Sequence, residues 1–165
     1  MSESNRPADS FEQQVLKYED ALYRIALAMM KNKPDAEDVL QEVFLKLFEK
    51  KTIFESAEHE KAWLIRVTIN LCKSKFRYAF RKREETLLDI YPAKSEQQNS
   101  LIEQVMQLPP KYRAVIHLFY YEGYTTGEIA QITRQKEGTV RSLMSRARKK
   151  LKLMLTELEY GGLYE

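Results

Sequence analysis

The feature that most constrains the fold of this chain is the spacing of its apolar residues, which recur every three or four positions over much of its length. The clearest run comprises Ala36, Val39, Leu40, Val43, Phe44, Leu47 and Phe48, a spacing that predicts one buried stripe of an α-helix. Five glycines and five prolines in 165 residues are too few for the many tight turns of an all-β fold. The sequence therefore predicts an all-α fold.

The periodicity divides the chain into two helical units. Residues 8–83 read as helices throughout, with Asp9 or Ser10 as the cap of the first helix. Its apolar positions are Phe11, Val15, Leu16, Leu22, Ile25, Ala26 and Met29. Pro34 lies early in the next helix, "TIFESAEHEK" reads as a connecting loop or turn, and a further helix follows. The apolar residues Trp63, Leu64, Val67, Leu71 and Phe76 mark that helix.

Residues 84–100 lose the periodicity and turn polar, which predicts a flexible linker. The second unit covers residues 101–160. Its first helix, "LPPKYRAVIHLFYYEG", begins at a proline pair and ends at Gly123, a residue suited to a helix C-terminus. The two small helical domains are thus joined by the linker.

The second unit also contains a helix-turn-helix pattern. Thr125 and Glu128 form a capping box that opens a short helix through Ile129, Ala130 and Ile132. "TRQKEG" is a polar turn, and a longer helix starts near Glu137. One face of the longer helix carries Val140, Leu143, Met144, Ala147 and Leu151. The second helix of such a motif enters the major groove of DNA.

The charges are unevenly distributed, although the net charge is only +3. Residues 35–60 contain eight acidic residues against three lysines, residues 61–83 contain eight basic residues and no acid, and residues 134–152 contain eight basic residues and one Glu. We interpret the acidic block as a surface for a protein partner and the two basic blocks as surfaces for a polyanion. No stretch has the length of apolar sequence that spans a membrane, so we expect a cytoplasmic chain without membrane insertion, in which Cys72 is a packed small side chain.

The polar face of the last helix has the chemistry of base recognition. Arg141, Ser142, Ser145, Arg146 and Lys149 lie opposite the apolar face. Arginine can bond the O6 and N7 atoms of guanine, and serine can bond several base edges or a phosphate. The alternative is a solvated basic face on an ordinary helical hairpin; the cap, the short turn and the arginines favour DNA.

Three motifs in order resemble a known family. Residues 108–152, "LPPKYRAVIHLFYYEGYTTGEIAQITRQKEGTVRSLMSRARKKLK", resemble region 4 of the extracytoplasmic-function (group four) sigma factors of bacterial RNA polymerase. "PDAEDVLQEVFLKLFEK" resembles their region 2.2, and "KAWLIRVTINLCKSKFR" their regions 2.3 and 2.4. The resemblance implies an alternative sigma factor that binds core RNA polymerase at the β′ clamp helices and the β flap. It also implies promoter DNA and an anti-sigma factor as partners.

The acidic helix is the candidate surface for core polymerase. Its buried stripe leaves Asp38, Gln41, Glu42 and Leu45 on the outer side, and an exposed Leu among polar groups is typical of a protein-binding face. A solvated surface with one stray Leu is an equally good interpretation of the composition. The resemblance decides between them, because these positions match those that bind the β′ clamp helices.

The resemblance also assigns the two DNA-binding sets. Recognition and opening of the minus-ten element fall to Arg66, Asn70, Lys73, Lys75 and Arg77, with the loop at residues 54–60 holding a flipped base. Trp63 is predicted to belong to the core rather than to a stacking platform. Contacts to the minus-thirty-five element fall to Arg141, Ser142, Ser145, Arg146, Arg148 and Lys149.

Two other functions are compatible with parts of the sequence. One is a conventional helix-turn-helix regulator that binds duplex operator DNA as a dimer, formed through its N-terminal half. The other is a metal nuclease that uses Asp35, Glu37, Asp38 and Glu42, although no His or second carboxylate cluster completes a metal site. We therefore expect no catalytic residue, no metal and no cofactor, and a protein that is not an enzyme.

Overall fold

The computed structural model describes the backbone of residues 7–50, 53–79 and 103–161, and the side chains of residues 11–50, 53–75 and 103–157. All regular secondary structure within these ranges is helical, which confirms the predicted fold class. The predicted linker at residues 84–100 lies outside the described residues.

The N-terminal unit consists of α1 (Pro7–Met30), α2 (Lys33–Glu49) and α3 (Ala57–Ala79), which pack against one another. Lys31 ends α1 in the left-handed region at φ 68°. Asn32 then caps α2, because its side-chain oxygen accepts a hydrogen bond of 2.9 Å from the backbone N–H of Asp35. Pro34 lies in the first turn of α2, as predicted.

Two predicted boundaries in this unit are wrong. Helix α1 begins at Pro7, so Asp9 and Ser10 lie inside it and are not its cap. Proline fits the first turn because its missing N–H would have no helical partner there. Helix α3 begins at Ala57, and the loop is shorter than "TIFESAEHEK", because Ser56 Oγ accepts the N–H of His59 at 3.0 Å and caps the helix.

The C-terminal unit contains a helical segment at residues 103–107, then α4 (Pro110–Ile116), which continues into a π-helical turn (His117–Tyr121). The helix-turn-helix follows as α5 (Thr126–Thr133) and α6 (Glu137–Gly161). Gly123 has φ 79°, and the N–H of Tyr124 donates to the carbonyl of Leu118 at 2.9 Å. The predicted use of Gly123 at a helix C-terminus is confirmed.

The buried apolar residues of both units form one continuous cluster. Helix α1 contacts α4 and the π-helical turn, and α3 contacts α5, a packing of the two units that the sequence does not predict. Two residues of the predicted apolar faces are instead on the surface: Leu16 is 71% exposed and Phe48 is 67% exposed. In both helices the apolar stripe is wider than the contact with the neighbouring helices, so its edge remains in solvent.

Candidate nucleic-acid and polymerase interfaces

The helix-turn-helix begins with the predicted capping box. Thr125 Oγ1 accepts the backbone N–H of Glu128 at 3.2 Å, and Glu128 Oε1 accepts the backbone N–H of Thr125 at 3.1 Å. Two N–H groups at the start of α5 are thereby satisfied without tertiary contacts. At the other end, Arg134 adopts the left-handed region with φ 55° and ψ 40°, and this turns the chain into α6.

Helix α6 separates its residues into two faces as the sequence predicts. Val140, Leu143, Met144 and Ala147 are buried against the rest of the unit, while Leu151 is partly buried. The predicted reading residues are all exposed: Arg141, Ser142, Ser145, Arg146 and Lys149. Arg141 Nη2 lies 3.2 Å from the carboxylate of Glu137 one turn earlier, and its side chain remains 65% exposed. The face combines hydrogen-bonding groups with positive charge.

Arg148 lies at the edge of this face, in different surroundings from the central residues. Its Nε donates to the hydroxyl of Tyr120 at 2.8 Å. Its guanidinium also lies 5.4 Å from the ring centre of Phe119 and 5.6 Å from that of Tyr120. A cation over aromatic rings with a directed hydrogen bond is held in one orientation. Arg148 is therefore fixed against the π-helical turn.

The basic residues of α3 are divided among three surroundings. Arg66 Nη1 donates to the carbonyl of Ile132 in α5 at 3.2 Å. Burial, with a smaller effect of the Arg134 charge, lowers the pKa of Arg66. Lys73 is exposed, whereas Lys75 Nζ lies 2.7 Å from the carboxylate of Glu42 on α2. The side chain of Arg77 lies outside the described residues.

The ion pair between α2 and α3 joins residues from two predicted sites. The hydrogen bond with Glu42 raises the pKa of Lys75, and the nearby carboxylates of Asp38 and Asp35 act in the same direction, while burial opposes them. The ammonium is thus held charged beside the acidic helix. A residue predicted to contact DNA and one predicted to contact polymerase neutralise each other.

Asn70, one helical turn after Arg66, lies in a shallow groove between α2 and α3. The groove is lined by Lys46, Glu49, Lys50, Trp63, Val67, Asn70 and Leu71. Trp63 is partly buried and its ring centre lies 5.5 Å from that of Phe54 in the preceding loop. Lys50 Nζ lies 5.1 Å from the Trp63 ring. Trp63 therefore packs against the core and also forms part of an exposed groove wall.

A second, apolar groove lies between α1 and α2. Its lining residues are Phe11, Val15, Glu19, Glu37, Leu40, Gln41, Phe44, Leu45 and Phe48. Leu45 is 56% exposed. The rings of Phe48 and Phe11 pack edge to face, with 5.2 Å between their centres. Glu19 and Glu37 supply the acidic part of the lining. The arrangement is an apolar centre with a negatively charged rim.

The four residues predicted to bind core polymerase do not share one surface. Gln41 and Leu45 line the groove between α1 and α2. Glu42 faces α3, where it pairs with Lys75, and Asp38 contributes to the negative potential at the same lysine. Leu45 therefore has its apolar neighbours on the α1 side, including Phe48 and Phe11.

The comparisons with known proteins agree with this geometry. Residues 15–83 match the family described as Sigma-70 region 2, and residues 98–151 match the family described as Sigma-70, region 4. The chain is 30% identical over 151 residues to the ECF RNA polymerase sigma factor SigL of Mycobacterium tuberculosis, with 83% of this chain and 84% of SigL covered. The chain belongs to the extracytoplasmic-function sigma factors. It is an alternative sigma factor of the sigma-70 family, as the sequence motifs predicted.

Two further relatives extend the similarity of this sigma factor. The ECF RNA polymerase sigma factor SigM of Mycobacterium tuberculosis is 29% identical over 157 residues, which cover 92% of this chain and 80% of SigM. The sigma factor RpoE, solved in complex with the anti-sigma factor NepR from Bartonella quintana, superposes with a TM-score of 0.71 at 27% identity. That alignment covers 89% of this chain and 97% of RpoE.

The sequence did not predict that aromatic residues of the sigma factor line the groove between α1 and α2. Phe11, Phe44 and Phe48 were assigned to a buried face, but all three line the exposed groove. A signal was present, because the apolar positions of α2 from Ala36 to Leu45 cover more than the narrow stripe that one packed contact needs. An excess width of apolar surface points to a second contact.

Within the described residues, the sigma factor has neither a metal-binding cluster nor a membrane-spanning helix. Residues 7–50, 53–79 and 103–161 contain no group of three or more His, Cys, Asp or Glu side chains placed to hold a metal ion. None of the helices in these ranges is both long enough and apolar enough to cross a membrane. Cys72 is fully buried, as predicted, and burial raises the pKa of its thiol to about 12.

Proposed function

We propose that this sigma factor binds core RNA polymerase and directs promoter-specific initiation by reading the minus-thirty-five element with α6. The reading residues are Arg141, Ser142, Ser145, Arg146, Arg148 and Lys149. One observation carries the proposal: behind a capped helix and a tight turn, α6 buries its apolar face and exposes this row of base- and phosphate-bonding groups. The fixed position of Arg148 beside Tyr120 suits a phosphate contact at the edge of the row.

The minus-ten element is assigned to α3 and the loop before it. The residues are Arg66, Asn70, Lys73, Lys75 and Arg77, with residues 54–60, the end of the loop and the first turn of α3, before them. The groove that contains Asn70 supports this assignment, because it combines an amide, an indole ring and two lysines. An unstacked base needs a hydrogen-bonding edge contact and an aromatic or apolar wall.

The groove between α1 and α2 is assigned to the β′ clamp helices, and the C-terminal unit to the β flap. Gln41 and Leu45 lie in the groove, with Asp38 and Glu42 on its α3 side. A helix with an apolar stripe and basic flanks fits an apolar centre with a carboxylate rim. The exposed ring of Phe48 adds apolar contact area.

The organisation of the proposed holoenzyme follows from these assignments. Residues 8–83 form the unit that binds polymerase and opens DNA, residues 84–100 the linker, and residues 101–160 the unit that reads the upstream element. The related RpoE was solved with an anti-sigma factor, and we propose an anti-sigma partner for this chain as well. The protein acts in the cytoplasm as an initiation factor, without catalytic residues, metal or cofactor of its own.

Run-off transcription with purified core polymerase on genomic fragments tests the function. We expect discrete promoter-dependent transcripts that require both the chain and core polymerase. A helix-turn-helix regulator would instead bind duplex operator DNA tightly without polymerase, and a nuclease would cut DNA with a divalent metal. Either of these results in the absence of transcripts would overturn the proposal.

The polymerase-binding groove is tested by the double substitution Leu45→Ala with Gln41→Ala. We expect weaker association with core polymerase and with an isolated β′ clamp-helix segment, and unchanged helical content. Leu16→Ala is the matched control, because Leu16 is 71% exposed on α1 but does not line the groove. Unchanged co-purification of the double variant with core polymerase would count decisively against this groove.

A further inference from the structure

A lysine that the sequence did not assign to DNA lines the groove between α2 and α3. Lys50 is the C-cap residue of α2, and its backbone N–H donates to the carbonyl of Leu47 at 3.2 Å. Its backbone is extended, with φ −71° and ψ 119°, so the chain leaves the helix at this residue. A positive charge here is favoured by the negative end of the helix dipole. The end of α2 thus places a cation in the groove that contains Asn70.

The ammonium of Lys50 lies over two aromatic rings. Its Nζ atom is 5.0 Å from the ring centre of Phe54 and 5.1 Å from that of Trp63. The centres of these two rings are 5.5 Å apart, and the ring of His59 packs edge-on against Phe54 at 5.6 Å. Attraction to two rings at once limits the rotamers of the lysine side chain. The ammonium is therefore held at the wall of the groove, and Lys50 is only partly exposed.

Lys50 and Asn70 carry hydrogen-bonding groups that the protein itself leaves unused. Among the residues that the structure describes, neither the ammonium of Lys50 nor the amide of Asn70 has a hydrogen-bond or ion-pair partner. Lysine presents three N–H donors and no acceptor, whereas an asparagine amide presents both. The groove thus offers an unused cationic donor and an unused amide beside an aromatic wall.

This combination fits the edge of an unstacked base. Such a base packs its face against aromatic or apolar side chains and offers its edge to hydrogen bonds. Because the ammonium contacts the same two rings that form the wall, a base in the groove has its edge beside the ammonium. Lysine only donates, so its partner on the base must be an acceptor. Guanine, cytosine and thymine each carry a carbonyl oxygen, whereas adenine carries ring nitrogens and an amino group.

We propose that Lys50 is a specificity-determining residue of promoter opening, which donates to a carbonyl oxygen of the unstacked minus-ten base and selects against adenine. The proposal rests on the proposed function of this groove. Asn70 bonds a second group on the edge of the same base, while Phe54 and Trp63 hold the ammonium in place. Lys50 thereby adds a base-reading residue from α2 to the set on α3.

A promoter library randomised at the minus-ten element tests this role in the complete holoenzyme. Lys50→Met removes the ammonium but keeps an unbranched chain that can pack against the two rings. We expect the wild-type holoenzyme to disfavour adenine about tenfold at one position, the effect of one hydrogen bond from a charged donor. Lys50→Met should lose most of that preference at this position alone. A wild-type preference for adenine at the affected position would overturn the proposal.

Lys46→Met is the matched control. Lys46 lines the same groove one turn earlier on α2 but is exposed to solvent. Its loss should weaken all promoter sequences about equally and lower the salt slope by up to about one, as loss of a phosphate contact does. If Lys50→Met shows this same uniform loss, Lys50 binds phosphate and does not select a base.

A pre-melted template separates a contact with the base from one with the backbone. At the position found with the library, the non-template strand carries either the preferred base or an abasic site. We expect Lys50→Met to weaken holoenzyme binding about tenfold on the template with the base, and to leave binding to the abasic template unchanged. A loss of equal size on both templates would overturn the selection by Lys50.

The outcomes also separate the role of Lys50 from the function itself. If the wild-type holoenzyme gives promoter-dependent transcripts and Lys50→Met keeps every base preference, the role of Lys50 is wrong while the sigma-factor function stands. If the wild-type holoenzyme gives no such transcript, the proposed function fails, and the role of Lys50 fails with it.

Discussion

Residues 61–83 and residues 134–152 each contain eight basic residues, but those whose side chains the structure describes lie in different surroundings in the two stretches. On α6 the central cations of the polar face are exposed, and the buried stripe is entirely on the other side. On α3 Arg66 is bonded to α5 and Lys75 to Glu42, and Lys73 is exposed.

The difference comes from the number of neighbours that each helix has. Helix α6 packs along one side, so its opposite face remains in solvent. Helix α3 contacts α1, α2 and α5, and two of its basic residues, Arg66 and Lys75, are bonded to neighbouring helices. Equal charge density therefore gives unequal availability to DNA. We expect the exposed face of α6 to contribute more to DNA affinity than the partly bonded basic residues of α3.

The largest expected effect is a loss of base preference when an exposed arginine of α6 is removed. Arg146→Ala or Arg141→Ala should cost about 1–3 kcal/mol at one base position of the upstream element, because a bidentate contact to a base edge is lost. Lys149→Ala should weaken binding to all sequences about equally and lower the salt slope by about one, as a phosphate contact does. A promoter library scored with each mutant holoenzyme measures both. If the arginine variants keep the wild-type base preferences, α6 is not the reader.

The second effect is on promoter opening. Asn70→Ala or Lys73→Ala should leave closed-complex formation nearly intact and reduce permanganate-reactive thymines at the start site several-fold, because a base-edge or phosphate contact to the opened strand is removed. Ser74→Ala is the matched control, an exposed neighbour on the same helix. A pre-melted template should restore both variants. Failure to be restored there would assign these residues to a step other than opening.

The sequence predicted what depends on local interactions. The capping box at Thr125, the turn at Gly123 and the two faces of α6 each follow from residues within one or two turns of helix. Such signals act through backbone hydrogen bonds and helical periodicity, which a single sequence contains. They were sufficient for the fold class and for the exposed polar face of α6.

The sequence did not predict what depends on contacts between distant segments. Arg113 and Ala28 are 85 positions apart, and Arg66 and Ile132 are 66 apart. Phe48 was expected to be buried, but the position of α1 leaves it in an open groove. Charge blocks likewise could not show that Lys75 and Glu42 neutralise each other across two helices. These features arise only when the helices are packed.

The ion pair of Lys75 and Glu42 allows a test of whether neutralisation keeps a basic residue of α3 from binding DNA. Glu42→Gln should release the lysine at a cost in stability below about 1 kcal/mol, since the pair is partly exposed. It should also raise the salt slope of promoter binding by up to about 0.9, the value for one added phosphate contact. Glu12→Gln, an exposed change on α1, is the control. An unchanged slope would mean that Lys75 does not reach the DNA backbone.

The smallest expected effect is a change in stability on substitution of Arg134, whose charge lies near Arg66 of the other basic stretch. Its left-handed φ of 55° is costly for a residue with a Cβ, and glycine adopts it freely but loses more entropy on folding. Arg134→Gly should therefore raise the free energy of unfolding by only about 0.5 kcal/mol, or roughly 1–2 °C in melting temperature. Arg134→Ala keeps the backbone strain and serves as the matched control, so it should give no gain.

Both variants at Arg134 remove the charge that lowers the pKa of Arg66 across the interface. Because Arg134 is exposed, we expect the loss of its charge to change the stability little, so only the glycine variant should melt later. A stability gain in the alanine variant as well would show that charge repulsion, and not the backbone conformation, is what Arg134 costs the fold. In that case a basic residue of the second stretch, like Arg66 in the first, is affected by its contact with the other unit.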